Sequence, residues 1–352
     1  MLLNLRIARS PLTRKENEAI LNNYNRLTSS RIPVDEFEHW VNEGPAGPAW
    51  HAILQTDEGR IVGHSSLIPL LTPYGSDSFV PAKSEYSFVH EDFRSTPIRG
   101  FETVKRAKFL ILVDRLFQHG ISEGWGPYFV STATANYPLS RRVGCKPVEL
   151  PLRECLFVLR PVQAVRHTAN LSAKQQAILF AAGTSQRVAG SVASFLSHRA
   201  NTIRRVSIDA ELPTPKRGEL ALFVDRSSLR WRYPEEQYTR FSFDQSPTNY
   251  VIAKRGSEDR YLRVCQWDLQ DRKVCKELIL ALVQQAREDR AVGVRWAVYD
   301  NDEHHTQIVG TLRRFGFLCV RRVRTMMVHS QSPEFLNPEV WKANDSFFSF
   351  DP

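Results

Sequence analysis

Two arginines, a glycine and two small hydroxyls fall together in the run Arg94-Ser95-Thr96-Pro97-Ile98-Arg99-Gly100. Those residue types suit a phosphate group: guanidinium forks match its oxygens, and a glycine lets backbone approach closely. A helix starting just beyond such a turn adds unpaired amides and the positive end of its dipole. The spacing predicts that helix, because Val104, Leu110, Leu112, Val113, Leu116 and Phe117 recur on one face. Before the turn, Ser84 to Val89 alternates as a strand does. Glu85, Ser87 and Val89 are expected on one face and Tyr86, Phe88 and His90 on the other. His90 and Glu91, next to the turn, offer an acid–base pair.

Other reactive constellations point elsewhere. His304 and His305 with Asp300, Asp302 and Glu303 invite a metal reading, but adjacent histidines point apart on a strand and the run is polar throughout. It reads as a solvated loop, and no metal is expected. Cys145, Cys155, Cys265, Cys275 and Cys319 are odd in number and lack C-x-x-C spacing, so neither a disulfide framework nor a zinc site is expected. That usage suits a reducing compartment. Trp40, Trp231, Trp267 and Trp296 read as packing residues of the core or between domains.

The elements that must position the basic turn follow in order. A short strand covers Leu3 to Ala8, a helix Thr13 to about Leu27, and a short helical piece Asp35 to Trp40. Trp50 onward and Ile61 onward form a hairpin around Asp57-Glu58-Gly59-Arg60. After the long helix come a strand from Pro127, a basic helical turn at Ser140-Arg141-Arg142-Val143, and an extended region from Val148 to Leu159. The 352 residues are 42% hydrophobic and 24% charged, enough apolar material for more than one core and too much for a disordered chain. The net charge of +9 favours an anionic partner, yet the arginines are scattered with no block of like charge. A phosphate-bearing small ligand is therefore preferred to nucleic acid. The opening residues carry too short an apolar run for a signal peptide, and no stretch suits a bilayer span, so a cytoplasmic location is expected.

Three pieces of the first 160 residues resemble the GNAT superfamily of acyl-coenzyme A dependent N-acyltransferases. IVGHSSLIPL after its Asp-Glu-Gly turn resembles the hairpin that leads into that family's central strand. FVHEDFRSTPIRG stands where the family has its basic, glycine-rich pyrophosphate loop. TATANYPLSRRVGCKPVE resembles its asparagine, short helix and Gly-Phe ending. The second half repeats this outline: the pair His39-Trp40 corresponds to Arg230-Trp231, and Arg141-Arg142-Val143-Gly144-Cys145 to Arg313-Arg314-Phe315-Gly316-Phe317. The expected architecture is α/β, two tandem GNAT-like domains, each a mixed central sheet flanked by helices. The division is 1–160 for a coenzyme A-binding domain, 161–205 for a helical linker with one broken helix or two short ones over 171–198, and 206–352 for a degenerate second domain. The second half carries Asp268 and Asp271 with no glycine ahead of its long helix, and carboxylates there repel phosphate.

The resemblance implies an N-acyltransferase that moves an acetyl or similar group from acetyl-CoA to an amine, with an amino sugar, free or nucleotide-linked, as acceptor. A Fem-type aminoacyl transferase using charged transfer RNA and a non-catalytic GNAT-like binding module are the alternatives. It further implies Glu85 as general base and Tyr137 as the donor to the leaving thiolate, although the family's tyrosine falls where this chain has Ser140. The coenzyme would meet Phe88, Val89 and His90 at the strand end, with the Val89 amide facing the thioester oxygen. Arg94, Ser95, Thr96, Pro97, Ile98, Arg99 and Gly100 would cradle the diphosphate, and Asn136 would bond the amide arm. Plain structural roles stand beside these: a solvated strand glutamate for Glu85, a Tyr-Pro turn for Tyr137 and an Asx turn for Asn136.

Overall fold

The computed structural model describes residues 1–74, 77–130, 137–167, 177, 181, 183, 203–208, 210, 220–222, 225–243, 248–257 and 260–342. Strand β1 (Asn4–Arg9) leads into helix α1 (Arg14–Thr28), which Thr13 and Glu16 close with a reciprocal capping box. Helix α2 (Val34–Asn42) buries Phe37, Trp40 and Val41. Strands β2 (Trp50–Gln55) and β3 (Ile61–Pro69) form the expected hairpin, and a small ribbon, β4 (Thr72–Tyr74) with β5 (Asp77–Phe79), follows. Then come β6 (Ala82–Val89), α3 (Lys108–Ser122), β7 (Tyr128–Val130), α4 (Tyr137–Arg142), β8 (Lys146–Val158) and α5 (Pro161–His167).

The later part repeats the plan. It contains β9 (Ile203–Val206), α6 (Arg226–Arg232), β10 (Tyr238–Phe243), β11 (Tyr250–Lys254), β12 (Leu262–Asp268), α7 (Arg272–Glu288), β13 (Gly293–Tyr299), α8 (His305–Arg314) and β14 (Leu318–His329). Most of the helix expected over 171–198 lies outside the described residues. Among the described residues no helix is long and apolar enough to cross a membrane.

Twelve strands form one sheet in the order β1-β2-β3-β6-β7-β14-β8-β13-β12-β11-β10-β9. The last strand of each half therefore lies in the other half. β14 pairs with β7, β8 pairs with β13, and the two run antiparallel to each other from Leu318↔Leu156 to Val328↔Lys146. Gly293 permits the β8–β13 contact, because a Cβ there would stand 2.0 Å from the Phe157 carbonyl oxygen. The exchange also brings Cys155 opposite Cys319, and the two form a disulfide. This corrects the expectation of unpaired cysteines: their separation of 164 residues hides a contact made only by strand exchange.

Apolar cores cover both faces. One, on the face of α1 and α2, holds Ile20, Phe37, Tyr86 and Phe88 and continues into the second half; the other, on the face of α3, holds Leu54, Val89, Leu112, Leu116 and Tyr128. Trp40 and Trp231 meet edge to face at 5.0 Å across the halves. The backbone carbonyls of His39 and Trp231 accept from each other's side chains at 3.2 and 2.8 Å.

Candidate functional site

Among the described residues the parallel strands β6 and β7 pair at Ala82↔Tyr128 and Lys83↔Phe129. A cavity of about 590 Å³ lies beyond that point. Ser84, Ser87, Phe88, Val89 and Val130 supply its strand walls. Leu27 and Thr28 of α1 line it from one face of the sheet, and Phe109, Val113 and Phe117 of α3 line it from the other. The cavity thus passes through the sheet.

A bulge shapes the strand wall. Tyr86 has φ of +52°, a left-handed conformation that costs a non-glycine residue about 1 kcal/mol or more. The register with β3 slips there, from Ser66↔Glu85 to His64↔Phe88. Two residues, Tyr86 and Ser87, consequently oppose Ser65, whose hydroxyl bonds that of Ser87 at 2.7 Å. The regular alternation predicted for this strand is broken: Ser87 and Val89 line the cavity, whereas Glu85 does not and instead ion-pairs with the buried Lys83. Further along, the His90 amide donates to the Val62 carbonyl of β3 at 2.8 Å. Ladder bonds alternate in direction along an antiparallel strand, so the Val89 N–H points the other way, into the opening.

The bulge is anchored from the opposite side. His64 Nδ1 lies 2.8 Å from the Tyr86 carbonyl oxygen, His51 Nδ1 lies 2.9 Å from His64 Nε2, and Ser10 Oγ lies 2.7 Å from His51 Nε2. Burial holds His51 well below its ordinary range, with His64 and Arg6 adding to the effect. Burial also lowers His64 to about 4, against a small upward pull from its bond to Tyr86.

Helix α3 begins later than its periodicity suggests. Helix α3 starts at Lys108, and Val104, placed by the spacing on the helix's apolar face, is 39% exposed in the preceding loop. The cause lies at the sheet edge. The Leu3 amide donates to the Pro97 carbonyl and the Arg99 amide to the Leu3 carbonyl, both at 2.8 Å, so this segment is spent pairing with the chain's start. Gly100 turns away with φ of +79°, and short turns through Phe101, Val104 and Arg106 follow.

Of the residues expected to cradle a diphosphate, Arg94 lines the cavity. Ser95, Thr96, Pro97, Arg99 and Gly100 do not, and Ile98 is wholly buried against β1. The Arg99 guanidinium bonds Asn4 at 3.0 Å and Asp57 at 3.2 Å. Ala107, Lys108 and Phe109 stand in their place, at the helix start. Ala107 is the N-cap, and no side chain caps the helix. The amides of this first turn and the Lys108 ammonium fit an anionic group at the mouth. The signal for this was the unbroken apolar run from Phe109 to Val113, to which Val104 does not belong.

Phe88 and Val89 line the cavity, whereas His90 is buried beside it and accepts from the Asp92 amide at 3.3 Å. Tyr137 opens α4 and packs partly buried on the α3 core without lining the cavity, and Asn136 lies outside the described residues. Ser140, at the position of the family's tyrosine, does line it, as do Val143 and Cys145, whose thiol is pushed up to about 12 by burial.

The second half contains the corresponding place in another state. Strands β12 and β13 pair in parallel from Leu262↔Val294 to Val264↔Trp296 and no further. The space at their ends measures about 70 Å³ and is lined by Trp267, Asp268, Asp302, Glu303, Glu339 and Trp341 among others. Burial, with Asp302 nearby, raises Asp268 above the usual carboxylate range. The start of α7 is capped by Asp271, which accepts from the Lys273 amide at 2.7 Å.

Neither protein-family models nor curated proteins match this chain. Solved structures do. A conserved protein of Enterococcus faecalis, named a probable N-acyltransferase, superposes with a TM-score of 0.57 at 9% identity over 96% of this chain and 73% of its own. GCN5-related N-acetyltransferases from Anabaena variabilis (TM-score 0.54, 10% identity, 92% of this chain and 72% of that one) and Kribbella flavida (0.50, 14%, 92% and 71%) are similar in the same way. At such identities the likeness concerns the fold. This chain has the GNAT-type α/β fold, a large mixed sheet flanked by helices, consistent with two GNAT-like halves.

Proposed function

We propose that the protein is an N-acyltransferase that binds acetyl-CoA, or a similar acyl-coenzyme A, in the cleft between β6 and β7 and passes the acyl group to an amine. The observation that carries this reading is the cavity through the sheet, which has an uncapped helix start and Lys108 at one end and the outward-turned Val89 amide within. The diphosphate would lie against the first turn of α3 and Lys108, with Arg94 beside it. The pantetheine arm would run along β6 in that cavity, beside Val89.

In the reaction the amine lone pair attacks the thioester carbon, the carbon–sulfur bond breaks, and the thiolate leaves. The Val89 N–H would donate a hydrogen bond to the oxyanion. Glu85, on the α1 face beside the bulge, would take the proton that the amine loses, and the Ser140 hydroxyl would hydrogen-bond the departing sulfur. The amine would arrive from the α1 face. An amino sugar, free or nucleotide-linked, is the acceptor that the family resemblance suggests.

Calorimetric titration tests the coenzyme assignment. Acetyl-CoA should bind the wild type saturably, and Lys108→Glu should weaken it by about 1.5 to 3 kcal/mol, the range of a lost bond to a charged group. A folded wild type without affinity for any acyl-coenzyme A overturns the assignment.

A further inference from the structure

The buried chain Ser10–His51–His64 is unusual in where it ends. Its members follow one another across the sheet, from the end of β1 through β2 and β3, and stop at the backbone carbonyl of Tyr86, the left-handed residue of the bulge. Its direction is set by that last acceptor. A carbonyl oxygen can only accept, so His64 carries its proton on Nδ1 and offers Nε2 as an acceptor. His51 must then donate from Nδ1, which leaves its own Nε2 to accept from the Ser10 hydroxyl. Both rings are neutral and their tautomers are fixed. The surroundings reinforce this: Phe37 of α2 and Phe88 of β6 lie against the rings, and the charged group facing them is Arg6 of β1, itself paired with Glu16 of α1.

A polar chain of this kind is not needed to fill a core, since apolar side chains pack the rest of this face. What it supplies is a fixed direction for the Tyr86 carbonyl, and with it the backbone turn that sends Ser87 and Val89 to the cavity wall. We infer that His64, held by His51 and Ser10, is a positioning residue for acyl transfer: by gripping the Tyr86 carbonyl it keeps the bulge formed and the Val89 N–H aimed at the thioester oxygen. This rests on the coenzyme reading above. It assigns to the far side of the sheet a part in polarising the acyl carbonyl, and it makes His64→Asn, which can place an amide donor near the ring's Nδ1, the conservative replacement.

The test follows the carbonyl itself. The wild type is first titrated with acetyl-CoA labelled with carbon-13 at the carbonyl; no saturable binding removes both the coenzyme reading and this inference. With binding in hand, the carbonyl resonance should move downfield in the complex, as it does when an N–H bonds the oxygen. His64→Leu should bind coenzyme with affinity within about threefold of wild type, since the diphosphate contacts are untouched, and should lose at least half of that shift, whereas His64→Asn should keep it. A full shift in a folded His64→Leu overturns the inference. Should that variant not fold, the wild type decides by nitrogen-15 spectroscopy: Nδ1–H on both rings at neutral pH supports the grip on Tyr86, and Nε2–H on His64 overturns it.

Discussion

The two halves contain the same device in opposite states. In each, the described residues show parallel strands paired over two or three positions beside a long helix, β6 with β7 beside α3 and β12 with β13 beside α7. In the first half the cavity holds about 590 Å³, the helix start is bare, and Arg94 and Lys108 stand at the wall. In the second it holds about 70 Å³, Asp271 caps the helix, Trp267 and Trp341 line the space, and Asp268, Asp302, Glu303 and Glu339 make it acidic. A helix start satisfied by its own carboxylate has nothing to offer a diphosphate, and one left bare is poised for it. One topology therefore gives either an open cavity with a bare helix start or a small space with a capped one, according to a few side chains at the strand ends.

The largest expected effect belongs to the smaller space. Trp341 is wholly buried, bonds the Phe335 carbonyl at 3.0 Å and meets Phe129 of the first half at 5.5 Å. Trp341→Ala should cost about 3 to 5 kcal/mol in urea unfolding, and a change under about 1 kcal/mol would show that Trp341 is not structural. Next comes acid. His64 has its proton affinity lowered from 6.5 to about 4, so between those values the unfolded chain binds a proton that the folded chain refuses. Stability is then full above about pH 6.5 and falls as the pH drops toward 4, by about 3 kcal/mol from His64, with His51 acting in the same direction. Unfolding midpoints at pH 7 and pH 4.5 should show this slope in the wild type and a flatter one in His64→Asn.

Copying the second half's cap onto the first sharpens the comparison through opposite signs. Ala107→Asp should stabilise the fold by about 1 kcal/mol, as an N-cap does, while weakening acetyl-CoA binding by about tenfold. A variant that gains stability and keeps its affinity would move the diphosphate away from α3. The smallest effect is expected at Arg99, whose guanidinium is engaged by Asn4 and Asp57. Arg99→Glu should change coenzyme affinity by less than about 0.5 kcal/mol, the ordinary size of a surface substitution outside a site.

Much of the fold was legible because it is written in local patterns. The Thr13 cap, the hairpin around Gly59, the apolar face of α3 and the repeat of the basic turn before Gly144 and Gly316 all lie within a few residues of what they specify. What escaped depends on distant partners. Pro97 and Arg99 look like a phosphate turn until Leu3 pairs with them, and that pairing moves the helix start to Lys108. The bulge at Tyr86 depends on His64, His51 and Ser10, which no spacing rule connects. The exchange of β8 and β14, with the Cys155–Cys319 bond it brings, needs the whole sheet to be assembled. In the site, Val89 and Arg94 were visible from type and position, whereas Lys108 and Ser140 emerged only once the helix ends were placed.

A crystal structure of the protein with acetyl-CoA is the decisive test of where the coenzyme binds. It should show one coenzyme per chain, its diphosphate on the amides at Ala107 to Phe109 beside Lys108, its arm between β6 and β7, and its carbonyl oxygen within hydrogen-bond reach of the Val89 nitrogen. Coenzyme bound at the ends of β12 and β13, or a diphosphate held by Arg99, would contradict it.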